Sequence, residues 1–153
     1  MEQDSNENGL TNLNPMFLWS FVMKKKGRKH PAYCFWGDAP ESIFDLANNY
    51  PNCRIVIVQG ERKIFNKNAS NILVRNAKSF VDESEKCRLY SETDGMYCLD
   101  ITESLRAGMC GVEVTDNYET FENIVKNNFV HSSVERIESW EKAKNALDLK
   151  IKH

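Results

Sequence analysis

A chain of 153 residues is the size of one domain, and folding would bury roughly 70% of the surface its unfolded form exposes, enough for a core without metal or disulfides. Lysine and arginine number 20 against 22 aspartates and glutamates, a net charge of −2, so the composition gives no strong nucleic-acid signal. Cys34, Cys53, Cys87, Cys98 and Cys110 are odd in number and lack CxxC spacing, and only three histidines accompany them. Free thiols in a reducing compartment are therefore expected, with no metal.

Residues 1–14 are polar and acidic with almost no apolar content, and read as a disordered tail ahead of one domain spanning 15–153. No secretory signal is visible, and the apolar run 16–23 is far short of the about 20 residues that span a bilayer. An intracellular final location is the expectation. Lys24, Lys25, Lys26, Arg28 and Lys29 follow. They offer a weak contact for an anionic surface, or a solvated loop after a buried element.

Residues 32–36 read as a strand that Gly37-Asp38 breaks. Asp38 and Glu41 have capping-box spacing around Pro40, and Ile43, Phe44, Leu46 and Ala47 form one helical face that ends before Pro51. A strand turning sharply into a helix gathers backbone N–H groups at one rim, a common seat for phosphate. The β-branched run Ile55-Val56-Ile57-Val58 predicts a strand buried on both faces over 53–58, with 63–65 as a short partner strand. Ser70 is placed to cap a helix running to about Val81, with Ile72, Leu73, Ala77, Phe80 and Val81 on one side.

Residues 87–91 and 96–101 are strand-like runs around Thr93-Asp94-Gly95, a hairpin signal. Residues 111–114 suggest another short strand, and 105–109 are ambiguous. Tyr118, Phe121, Ile124, Val125 and Phe129 recur at helical steps over 116–130, and Ser132 to Glu135 fit a capping box before Val134, Ile137 and Trp140. The sum is an α+β domain with several antiparallel pairs.

No GxGxxG, P-loop or nucleophile elbow occurs. Cys34, near the basic run, could have a lowered thiol pKa, or be a buried structural thiol among aromatic neighbours. Glu119 and Glu122 would share a helical face, as an acid–base pair or as solvated carboxylates.

Three segments carry a resemblance. Phe35-Trp36-Gly37-Asp38 with Pro40-Glu41-Ser42-Ile43-Phe44, then Tyr90-Ser91-Glu92-Thr93-Asp94-Gly95-Met96-Tyr97, then Val134 to Trp140, resemble in order and rough spacing the bacterial ADP-ribosyltransferase toxins of the cholera and pertussis type. The resemblance implies two small packed sheets around a cleft with flanking helices, and NAD as substrate. It implies a divergent mono-ADP-ribosyltransferase-like effector or toxin that acts on a host or target protein, delivered by a non-classical secretion route. Glu122 would be the catalytic carboxylate with Glu119 assisting, and Trp36, Asp38 and Ser70 would contact NAD. The alternative is a degenerate, non-catalytic relative that serves as a protein-binding module. The chain departs from the family where an arginine is expected, since Trp36 or Cys34 stands there and neither offers a guanidinium. Ser70 alone survives of the Ser-Thr-Ser strand, and the two glutamates are one residue too far apart to share a strand face. The family's strands would also fall on 116–122 and 137–143, where the periodicity here is helical.

Overall fold

The computed structural model describes residues 30–130, and Glu138, Glu141, Lys142 and Asn145 as helical positions. The expected tail over 1–14, the basic run 24–29 and the capping box at 132–135 lie outside the described residues. Five strands form one sheet: β1 (Ala32–Trp36), β2 (Arg54–Gln59), β3 (Ile72–Asn76), β4 (Gly95–Cys98) and β5 (Glu113–Thr115). Their order is β3-β2-β1-β4-β5 and every pairing is parallel. Four helices lie within residues 30–130: α1 (Ser42–Asn49), α2 (Glu83–Ser91), α3 (Ile101–Met109) and α4 (Tyr118–Lys126).

The mixture of strands and helices agrees with the sequence reading. One parallel sheet between two helical layers replaces the expected two small sheets and antiparallel pairs. Alternation along the strands makes the layers. Tyr33, Phe35, Ile55 and Ile57 face Ile43, Phe44, Leu46 and Ala47 of α1 and Phe121 and Val125 of α4. Cys34, Val56, Val58, Met96 and Cys98 face Cys87, Leu89 and Tyr90 of α2 and Ala107 and Met109 of α3. Each of β1 and β2 contributes to both clusters, which is why their sequences are unbroken apolar runs.

Two elements depart from their local patterns. Residues 72–76 are a strand, not the middle of a helix capped by Ser70. Ile72, Leu73 and Val74 pair in register with Ile55, Val56 and Ile57, and a ladder to a buried neighbour outweighs a helical spacing that the same residues also satisfy. Only a short 3-10 turn, Ala77–Ser79, follows. Residues 87–91 are helical although Cys87 and Leu89 alternate. The Asp82 carboxylate accepts from Ser84 N at 3.0 Å and Glu85 N at 3.3 Å, and starts α2 ahead of them. Residues 63–65 lie in an irregular crossover, 60–71, that carries no helix.

The Asp94-Gly95 pair does not make a hairpin. Asp94 N donates to Ala32 O at 2.7 Å, and Ala32 N donates to the Asp94 carboxylate at 3.0 Å. These two bonds fasten the amino ends of β4 and β1 side by side in parallel. Gly95 is required by packing: a Cβ there would stand 2.8 Å from Ile124 Cγ2 and 3.4 Å from the Tyr33 ring.

Candidate functional site

Strand order reverses at β1. From β1 the chain moves outward through α1 to β2 and β3, and from β4 it moves the other way through α3 to β5. Because α1 and α3 lie on opposite faces, the connections leaving β1 and β4 part at the carboxyl edge, the topological position of the crevice in which ligands of open parallel sheets bind. One wall is Trp36-Gly37-Asp38 and the other is Cys98-Leu99-Asp100. Gly37 has φ +138°, a value that favours glycine, and its N–H donates to Val58 O at 2.8 Å. That turn sends Asp38 outward, where its carboxylate lies 3.4 Å from Lys63 Nζ.

The helix starts around the crevice differ. Asp82, Asp100 and Asn117 cap α2, α3 and α4 with their own side chains, whereas Glu41 makes no such bond to α1. The Asp38–Glu41 capping box is therefore not formed. Asp38 turns to Lys63, and the Glu41 carboxylate accepts from Asn66 N at 3.1 Å and Asn66 Nδ2 at 3.3 Å. The positive end of α1, immediately after β1, carries no capping side chain.

Beside the crevice, the irregular crossover leaves a cavity of about 460 Å³ over the carboxyl ends of β2 and β3. Gln59, Arg62, Lys63, Phe65, Val74 and Asn76 contribute to its wall. Gln59 is the last residue of β2 and alternates with Ile55 and Ile57, so it faces the α1 layer. It is only 7% exposed, and its Oε1 has no hydrogen-bond partner among the described residues. Lys63 ties cavity to crevice: Nζ donates to Ala39 O at 2.9 Å and lies 5.3 Å from the centre of the Phe65 ring. Phe65 packs on Phe44 of α1 with ring centres 4.8 Å apart. Arg62 is exposed and makes no ion pair with a described residue. Gln59 was legible as the polar residue that ends an apolar run before Gly60; Arg62 and Lys63 carried no such signal.

The residues singled out from the sequence do not converge. Asp38 is at the crevice. Trp36 points into the opposite layer from α1 and α4, against Phe80 at 6.0 Å and Tyr90 at 6.2 Å between ring centres, with Lys86 Nζ 5.6 Å from its own ring centre. Glu119 and Glu122 are on α4, which packs on the other face of the sheet through Phe121 and Val125. Glu119 is exposed and Glu122 half-buried beside Tyr118. Trp36 and Glu122 thus do not line one cleft. Ser70 precedes the start of β3, at the amino edge of the sheet and remote from the crevice.

Cys34 is fully buried, and burial pushes its thiol far above the ordinary value, the reverse of an activated thiolate. Behind Trp36, Glu103 is 6% exposed and accepts from Tyr90 OH at 2.6 Å, Lys86 Nζ at 2.8 Å and Arg106 Nη1 at 2.7 Å. The Tyr90 hydroxyl is pushed well above its usual pKa by burial and then by this carboxylate. These bonds join α2 to α3 and occupy both oxygens of Glu103.

Among the described residues no group of three or more His, Cys, Asp or Glu is arranged to hold a metal ion, and no helix is long and apolar enough to cross a membrane. No family model, no curated protein and no solved structure matches the chain.

Proposed function

We propose that this chain is a nucleotide-binding domain whose ligand lies along the carboxyl edge of the sheet. One observation carries the reading: five parallel strands in the order β3-β2-β1-β4-β5 place their switch point between β1 and β4, beside the uncapped start of α1. The chemistry of the edge matches the parts of a nucleotide. The start of α1, with Lys63 and Arg62, suits a phosphate. The carboxylates of Asp38 and Asp100 suit ribose hydroxyls, which donate to them. The adjoining cavity of about 460 Å³ is within the size range of small-molecule sites.

NAD is the dinucleotide to try first, since the opening segment resembles that of NAD-consuming toxins. The transferase assignment of Glu122 is not part of this reading, because Glu122 is on α4, on the face of the sheet opposite Trp36. Calorimetric titration of the full chain with AMP and with NAD tests the proposal. Saturable binding of at least one, weakened severalfold or more by a joint Lys63→Ala and Arg62→Ala change, is expected. Absence of heat with both, or binding untouched by that double change, contradicts it.

A further inference from the structure

We propose that Gln59 reads the base of the nucleotide, with the base seated in the cavity over β2 and β3. This rests on the nucleotide reading above and names which part of the ligand goes where. A buried carboxamide oxygen without a partner is rare in a folded chain, because it forfeits the hydrogen bonds it made in water. Gln59 Oε1 is in that condition among the described residues, and Gln59, at 7% exposure, belongs to the wall of the cavity over β2 and β3. Asn76, its register partner on β3, is not: its Oδ1 accepts from Lys78 N at 2.8 Å. The fold uses one carboxamide at the strand ends for itself and leaves the other, in the wall of the cavity, without a partner among the described residues.

The occupant follows from the wall. Gln59 offers one acceptor and one donor in a plane, which complements a heterocycle with an N–H beside an acceptor, the pattern on the pairing edge of nucleobases. Phe65 and Val74 supply apolar surface for the faces of a ring; Lys63, which reaches Ala39 O just before α1, and Arg62 on the same wall are suited to the phosphate. Other polar groups near the cavity are engaged: the Arg75 guanidinium lies 4.1 Å from the centre of the Phe80 ring and pairs with Glu85 at 3.4 Å.

The test compares ligands with and without a base. The ¹⁵N-labelled full chain is titrated with AMP, UMP and ribose 5-phosphate, following backbone amides and the Gln59 side-chain NH₂ pair. Expected are nucleotides that bind about tenfold or more tightly than ribose 5-phosphate, with the Gln59 pair shifting only for nucleotides. Gln59→Met should abolish that advantage and leave ribose 5-phosphate affinity unchanged. Val74→Trp, which fills the cavity from a partly exposed position, should do the same with Gln59 itself kept. Equal binding of all three ligands, or an advantage that survives Gln59→Met, overturns the role of Gln59 while the nucleotide reading stands; an advantage that survives Val74→Trp overturns the seating of the base in this cavity. No binding by any of the three overturns both.

Discussion

Replacing Gln59 by methionine should make the free protein more stable. The two side chains have similar length, and Gln59 sits at the end of β2 with 7% of its surface exposed. Its Oε1 lacks a partner among the described residues. An unsatisfied buried acceptor costs about 1–3 kcal/mol, and an apolar group of the same shape escapes that penalty. The Gln59→Met chain should therefore gain about 1–2 kcal/mol, a rise of about 3–8 °C in Tm for a domain of this size. Urea titration and thermal melting, both without ligand, measure it. Stability and base recognition are expected to move in opposite directions, the pattern of a residue kept for binding at the expense of folding. A loss of 1 kcal/mol or more on Gln59→Met would refute the reasoning, because it would show that the carboxamide is satisfied in the folded state.

Glu103→Ala removes the acceptor shared by Tyr90, Lys86 and Arg106 and leaves two cations on a half-buried surface; urea unfolding should show a loss of about 3–5 kcal/mol. Gly95→Ala places a methyl 2.8 Å from Ile124 Cγ2 and should cost about 1–3 kcal/mol, part of it recovered by a second change, Ile124→Ala, which removes that atom. Additive losses in that double-mutant cycle would show the contact to be slack. Alkali should destabilise the fold through its thiols. Burial raises Cys98 from 9.0 to about 11 and Cys34 in the same direction, so the folded state holds protons that the unfolded state releases. Their contribution is full below the unfolded thiol value of 9.0 and is lost as pH rises, at about 1.4 kcal/mol per pH unit per thiol, through about 11 for Cys98. Cys98→Ala should flatten stability against pH between 9 and 11; an unchanged slope contradicts the assignment.

What could be read in the sequence was whatever depended on burial over a few residues. The run Ile55-Val56-Ile57-Val58 announced a strand covered on both faces, and the strand from Ala32 to Trp36 and the helix through Ile43 and Phe44 follow from the same logic. Parallel pairing was not legible, because it is decided between distant segments. Asp94-Gly95 has the local chemistry of a hairpin, yet Asp94 spends its carboxylate and its N–H on Ala32, 62 residues away. Residues 72–76 satisfy helical and strand spacing equally, and the β2 ladder decides between them. The site was half legible. The turn at Trp36–Asp38 was legible as the end of a strand, but alternation put Trp36 and Glu122 on different faces once the sheet was parallel and single. Gln59 stands out in the sequence as the polar end of an apolar run, but its place in a cavity wall depends on the crossover over 60–71.

The central claim, a nucleotide held at the switch point of the carboxyl edge, is tested most directly by mapping backbone amide shifts on titration with AMP. The account predicts saturable shifts at Gly37, Asp38, Ser42, Leu99 and Asp100 and none at Asp94, Gly95 and Glu113, the amino ends of the same strands. Shifts confined to the amino edge or to the outer surface of α4, or no shifts at saturating AMP, would contradict it.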